Sequence, residues 1–515
     1  MEQPATQLSD NGRRIARNTA ALYLRMFFLM VVSLFTARIV LNALGAQDRG
    51  VYEAVASFVS MMAIISGALS NAVSRFLTVE IGKGDAAATG RVFATANAIL
   101  LLVSAGILLV AEPLGMWYIG NVMNLPEGRV AAARWVFQFS LGTFILNLMS
   151  VPYNACIISH EKMSAFAVIG VVEGLLKLGV ALAIMLTRSD RLILYGLLLL
   201  AVALTVRIMY AAFCRRFFEE SRAGVHLHRE YAGKMFSFAG WNGVASGIYM
   251  LDTHGATQLL NYFFGVIFNT MRGIALSVEN MAKQFIVNVI LAINPQITKS
   301  YASGDKAYSH DLVCKGIKYA FIIGLTIALP FFFEAESILR LWLGSREVPD
   351  GTALFTRLGL ICMVLDIGIN PMNIFVQATG SIKRYYLVTS LIAVLIFPLT
   401  WIAYAAGLPA YSYYLIFIAD YIVFDIAKLL IARGQFGFPL RMFCKETLLR
   451  VVPVMAASLL LTALVWALLP AGVWRLLAVL VTGTLAVALS SYFFALTPGE
   501  RSFVDSKLKI RRTHE

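Results

Sequence analysis

Fourteen apolar runs, each close to or beyond the roughly 20 residues that a helix needs to cross a bilayer, dominate this 515-residue chain. They fall near 19–44, 51–80, 87–111, 130–158, 162–186, 191–214, 235–260, 266–301, 307–333, 352–379, 384–406, 411–432, 443–469 and 472–496. Hydrocarbon offers no water to a peptide group, so a spanning segment must satisfy its backbone inside a helix or a closed barrel. No run alternates with a strand's two-residue period. The expected fold class is therefore an all-α polytopic membrane protein of about 14 transmembrane helices. The composition, 59% hydrophobic and 14% charged, fits that class. The first 18 residues are polar and the first run is too long for a signal-peptide core, so a first span that directs insertion is expected rather than a cleaved leader.

A net charge of +14 would suit nucleic acid in a soluble chain. Here the basic residues gather in loops on one side, most densely in 215–234, RRFFEESRAGVHLHREYAGK. Cytoplasmic loops favour Lys and Arg, which places this loop and both termini in the cytoplasm and removes the need for a nucleic-acid partner. The five cysteines, Cys156, Cys214, Cys314, Cys362 and Cys444, show neither a CxxC pair nor metal-ligand spacing. They read as small core hydrophobes, and no metal site and no cofactor is expected. P-loop, HExxH and nucleophile-elbow motifs are absent from the sequence, so the chain is not expected to be an enzyme.

The chain repeats itself. SRFLTVEIGKGD, ending at Asp85, returns as NPQITKSYASGD, ending at Asp305, a shift of 220 residues. Gly45 and Gly265 open the second and eighth runs at the same shift. EPLGMWYIGN at Glu112 returns as ESILRLWLGS at Glu336, and Pro152-Tyr-Asn154 returns as Pro371-Met-Asn373. Four matches in one order predict two homologous six-helix bundles. Six is even, so both have the same orientation, a parallel repeat about an axis along the membrane normal. The expected domains are a first bundle over 1–214, a cytoplasmic linker over 215–234 and a second bundle over 235–432. Residues 433–515 add two transmembrane helices, read as lipid-facing, and a basic tail. A substrate site is expected at the interface between the bundles, near the midplane.

Charge inside the membrane marks candidate site residues. The stretch Gly265 to Asp305 carries Arg272, Glu279 and Lys283 within roughly 20° of one azimuth on a helix, flanked by Asn269, Asn280 and Gln284. A charge facing lipid at mid-bilayer costs at least ~2.5–3.5 kcal/mol, so this stripe should face other helices or a wet cavity. The alternative is a structural Glu279–Lys283 pair at i,i+4. Arg25, two turns inside the first run, either meets an incoming phosphate or snorkels to lipid headgroups. The second run carries Glu53, Ser57, Ser60, Ser66, Gly67, Ser70, Asn71 and Ser74, which serve either close helix packing or a wet groove for sugar hydroxyls. Asp252 and Glu53 are candidates for ion coupling, against structural pairing for the first and an interfacial place for the second. Glu173–Lys177 and Asp425–Lys428 read as internally neutralised pairs, while Asp366 and Asp420 have no partner in their own runs.

NTAALYLRMFFLMVVSLFTARIVLNALGAQDRGVY, ALSNAVSRFLTVEIGKGD and INPQITKSYASGD resemble the polysaccharide-transporter branch of the multidrug/oligosaccharidyl-lipid/polysaccharide (MOP) exporter superfamily, in particular its Wzx-type O-antigen and oligosaccharide flippases. The resemblance covers residues 15 to 435. It implies a V-shaped pair of bundles in a bacterial inner membrane that carries undecaprenyl-pyrophosphate-linked oligosaccharide from the cytoplasmic to the periplasmic leaflet by alternating access. Such a cargo needs fixed cations for its pyrophosphate and polar groups for its sugars. Arg25, Arg272, Lys283, Glu279, Asn269 and Asn280 form the substrate-binding set on this reading. Its partners would be the lipid-linked oligosaccharide, membrane lipids, a polysaccharide polymerase and assembly proteins. The rivals are a multidrug or small-cation exporter of the same superfamily, which would favour acidic and aromatic lining, and a membrane polysaccharide polymerase, which the short outside loops 112–129 and 334–351 disfavour.

Overall fold

Glycine and proline mark several of the places where the helices of this chain begin and end. The structure is a computed structural model that describes residues 4–160, 162–344, 348–380 and 383–507; side chains at 4–24, 241–252, 288–289, 291–292, 383, 386, 503 and 507 lie outside the description. The helices are α1 (Pro4–Ser60), α2 (Ala63–Lys83), α3 (Ala86–Asn121), α4 (Val130–Leu148), α5 (Val151–Ser159), α6 (Met163–Leu186), α7 (Arg191–Phe217), α8 (Arg229–Met250), α9 (Ala256–Phe264) and α10 (Val266–Ala302). They continue as α11 (Lys306–Leu343), α12 (Thr352–Gly368), α13 (Asn370–Thr379), α14 (Lys383–Val394), α15 (Ile396–Ala405), α16 (Ser412–Phe436), α17 (Leu440–Phe443), α18 (Leu449–Leu468), α19 (Val473–Ser490) and α20 (Pro498–Lys507). Among the described residues there is no strand, and ten helices are long and apolar enough to cross a membrane. The chain is an all-α polytopic membrane protein.

Each of the fourteen apolar runs is helical, several of them in two pieces. Pro152 and Pro371 lie in the first turn of α5 and α13, where a residue without an N–H costs least, and so restart a helix after α4 and α12. The run 51–80 also breaks, between α1 and α2 at Met61–Met62, although neither glycine nor proline marks the place.

The repeat is built from matching joints. Gly45 (φ 75°, ψ 170°) bends α1, and Gly265 (φ 86°, ψ −177°) separates α9 from α10 in the same conformation. An L side chain rarely adopts positive φ, so these joints call for glycine. Gly84 and Gly304 end the following helices at φ 74° and 87°. Asp85 and Asp305 then cap the next ones, accepting from Ala88 N at 2.8 Å and Tyr308 N at 3.0 Å.

By contact the chain forms two compact units, Met1–Thr270 and Met271–Glu515. In the first, α1 packs on α6 and α4, α4 on α7, and α2 on α5 and α8, around a core that includes Val51, Val55, Leu77, Phe93 and Phe137. Helices α8 and α9 therefore lie with this unit, beyond the loop 215–234 that divides the sequence repeat. Arg129 ties its elements together by pairing with Asp48 and with Asp190, the latter at 2.5 Å. Gly50 packs so closely on the backbone of Val266 that a Cβ would clash with it.

In the second unit, α11 packs on α12 and on the two added helices α18 and α19. One core gathers around Phe375, Phe438 and Val313, and a second around Leu329, Val454 and Val487. The added helices keep many large apolar side chains exposed, but an ion pair anchors them: Arg475 of α19 meets the fully buried Glu334 of α11 at 2.5 Å. Helix α20 is fastened in the same way. Buried Lys318 binds Glu500 at 2.9 Å and the Ala495 carbonyl at 3.1 Å, and the Tyr319 hydroxyl donates to Glu500 at 2.6 Å. Burial alone would raise the Glu500 carboxyl; the donors from Tyr319, Thr497 and Lys318 outweigh it and hold it down at about 2.

Candidate functional site

The first unit holds a half-open cavity of about 710 Å³. Its wall comes from the end of α1, the start of α2, and α4, α6 and α7. Ser60, Ser66, Gly67 and Ser70 contribute from the broken second run, with Ser140, Thr143 and Asn147 facing them from α4. The break at Met61–Met62 removes the regular ladder there and lies between the Ser60 and Ser66 positions. A Cβ on Gly67 would meet nothing within 4 Å. Of the small and polar residues of this run, Ser60, Ser66, Gly67 and Ser70 line the cavity, while Ser57 packs against His254 and donates to its carbonyl at 3.2 Å.

Aromatic and charged groups complete that wall. Tyr52 and Tyr195 meet edge to face, 4.8 Å between ring centres. Glu173 and Lys177 form the expected pair at 2.6 Å, and both line the cavity. The pair leaves its part of the wall polar with no net charge.

The second unit treats the matching stretch differently. At a shift of 220 residues, Tyr52, Val59 and Ala63 become Arg272, Glu279 and Lys283. Arg272 is only 3% exposed; its guanidinium lies 4.5 Å from the Tyr413 ring centre and donates to the Tyr413 hydroxyl at 3.1 Å. Tyr414 lies on the same cation at 5.8 Å. Such stacking of a desolvated cation is worth about 2 kcal/mol, of the order of the penalty for burying it. Glu279 is buried too, with Oε1 unbonded, against Gly359, where a Cβ would collide with the carboxylate. Lys283 pairs with Asp366 of α12 at 2.6 Å. That contact supplies the partner that Asp366 lacked in its own run. Asn280 is exposed.

The remaining candidates scatter. Arg25 packs its guanidinium over Phe166 at 4.5 Å, against Gly170, and its Nε is buried without a hydrogen-bond partner. Asn269, in the first unit, is fully buried and neither polar atom of its side chain is bonded. Glu53 pairs with Arg49 at 2.7 Å. The Asp252 side chain lies outside the described residues. Sequence reasoning missed Asn147 and the Tyr413–Tyr414 cradle. One signal was available for the first: Asn147 precedes Pro152 by the same interval by which Asp366 precedes Pro371.

Comparison with known proteins gives these sites a setting. No defined protein-family profile matches the sequence. A curated relative, the uncharacterized membrane protein EpsK of Bacillus subtilis (strain 168), is 21% identical over 381 residues, 73% of each chain. Among solved structures, the lipid II flippase MurJ in an inward closed conformation matches with a TM-score of 0.70 at 11% identity, over 95% of this chain and 99% of its own. An inward-facing multidrug resistance MATE family transporter of the MOP superfamily matches at 0.66 and 14% identity, over 82% and 98%. A MOP superfamily transporter from Pyrococcus furiosus matches at 0.60 and 14% identity, over 82% and 95%. The chain shares the fold of these transporters. At such identities the likeness carries the architecture, and the cargo has to be argued from the residues.

Proposed function

We propose that this protein is a flippase that moves polyprenyl-pyrophosphate-linked oligosaccharide across a bacterial inner membrane, from the cytoplasmic to the periplasmic leaflet, by alternating access, with both termini in the cytoplasm. The observation that carries this reading is the cavity of the first unit. Hydroxyls and a carboxamide offer donors and acceptors to sugar hydroxyls, and two tyrosine rings offer faces on which a pyranose can stack. The flippase fold of MurJ supports the reading. Within the cavity wall Lys177, with 48% of its side chain exposed, is the cation that can meet a pyrophosphate, by exchanging Glu173 for a phosphate oxygen.

A multidrug or small-cation exporter is the second reading, favoured by the MATE likeness and by Glu173 and the tyrosines in the cavity wall. The Lys177 ammonium beside Glu173 weighs against it, because a site for organic cations needs an uncompensated carboxylate.

Complementation tests the choice. A strain without its own oligosaccharide flippase, supplied with the chain and with each of several lipid-linked oligosaccharides, should regain surface glycan with wild type. At equal membrane abundance it should not regain it with Gly67→Trp, which plugs the cavity. Failure with every oligosaccharide offered, together with drug resistance conferred by the same chain, would favour the exporter.

A further inference from the structure

Three ligand-type side chains converge away from the cavity, at the end of the first unit next to the loop 215–234, and the thiol of Cys214 belongs to the same end. Cys156 and His160 lie four residues apart at the end of α5, on one face of its last turn. Glu220 comes from the short 3-10 turn Glu219–Arg222 that follows α7, and Cys214 from the last turn of α7. His160 Nε2 is 2.5 Å from Glu220 Oε1, and Cys156 Sγ is 3.4 Å from the same oxygen. The three ligand atoms all lie within 4.8 Å of one another. The Cys214 thiol donates to the Tyr153 carbonyl at 3.5 Å.

The surroundings hold these groups in place. Both thiols are buried, and the His160 ring lies flat on Phe218 with 4.2 Å between centres. A tetrahedral ion with bonds of 2.0–2.3 Å sets its ligand atoms about 3.3–3.8 Å apart, a spacing that small rotations of Cys156, His160 and Glu220 reach, while Cys214 has to turn toward them from the Tyr153 carbonyl. Two sulfurs, one imidazole nitrogen and one carboxylate oxygen form a borderline-soft set that suits Zn²⁺ and does not suit Mg²⁺ or Ca²⁺. None of the four lines the cavity of the first unit.

We propose that Cys156, His160, Glu220 and Cys214 form a binding site for one Zn²⁺-class ion, which clamps the end of α5 to the end of α7 and the turn beyond it. Binding would displace the proton shared by His160 and Glu220 and release those of the thiols. The cysteine spacing hides this site, because the two thiols come from positions 58 residues apart and the carboxylate from a third element.

Cobalt provides the test. The purified full chain, reduced and freed of metal by a chelator, is titrated with Co²⁺ in detergent and then with Zn²⁺. The site predicts a thiolate-to-cobalt charge-transfer band that saturates at about one equivalent and is abolished by Zn²⁺. Cys156→Ser and His160→Ala should each weaken metal retention by at least ~10-fold, and Cys214→Ser should keep the ion but lower the band. Zn²⁺ should also slow alkylation of Cys156 in the wild-type protein, a readout that requires no variant to fold. A wild-type chain that gives no band and no protection, or an unchanged band in a folded His160→Ala variant, would overturn the site.

Discussion

Positions 52, 59 and 63 of the first unit and positions 272, 279 and 283 of the second occupy matching places in the repeat and have opposite contents. The first set is Tyr52, Val59 and Ala63, and it borders a cavity of about 710 Å³. The second is Arg272, Glu279 and Lys283: the first two are buried, Tyr413 and Tyr414 hold Arg272, and Asp366 pairs with the partly exposed Lys283. Even the helix-four counterparts differ in kind, with neutral Asn147 in the cavity wall and charged Asp366 on Lys283. A duplicated scaffold has thus kept its joints while its two halves diverged in this stripe. Small neutral residues leave room for a cargo. Charged ones need partners, and Arg272 finds them in Tyr413 and Tyr414.

The largest effect should come from filling the open half. Gly67→Trp should abolish transport while the protein still elutes as a single folded peak, whereas Gly67→Ala should transport as wild type. Breaking the charged half should cost stability. Asp366→Ala should lower the thermal midpoint in detergent by the equivalent of about 1–3 kcal/mol, below the cost for a fully buried pair because about a quarter of each side chain is exposed. Exchanging the two residues, Lys283→Asp with Asp366→Lys, should recover part of the loss, which a double-mutant cycle measures.

Smaller effects sharpen the contrast. Gly359→Ala drives a Cβ into the Glu279 carboxylate and should destabilise by about 1–3 kcal/mol, while Gly67→Ala in the open half stays within ~0.5 kcal/mol. Arg272→Lys keeps the charge but loses the flat stack on Tyr413 and should cost about 1–2 kcal/mol in the same melt. The smallest effect lies outside the stripe. The Glu500 carboxyl is held at about 2 in the folded chain against an ordinary value of 4.5. Its contribution is therefore fully present above pH 4.5 and is lost as pH falls toward 2. Glu500→Gln should flatten that part of the melting profile in acid.

The architecture could be read from residues because its causes are local. Apolar length gives the spans, and Gly45, Gly265, Asp85, Asp305, Pro152 and Pro371 mark joints whose geometry only those residue types favour. The site was only partly legible. The serines of the second run pointed to a groove, but the break at Met61–Met62 has no residue signature. The i,i+4 rule paired Lys283 with its neighbour on the helix, while the fold offered Asp366 from α12. Cys156 and Glu220 escaped notice for the same reason: a contact between separate elements leaves no spacing pattern in the chain.

The contrast between the cavity at Ser70 in the first unit and the buried surroundings of Arg272 in the second can be measured by the reach of water. With exposed Cys444 replaced by serine, a single cysteine is placed at Ser70 in the cavity wall or at Ala275 beside Arg272, and each is treated in membranes with a charged, lipid-impermeant thiol reagent. The predicted result is rapid labelling at position 70, slowed by lipid-linked oligosaccharide, and none at position 275 over the same interval. Equal labelling at both positions, or a position 70 as silent as 275, would contradict it.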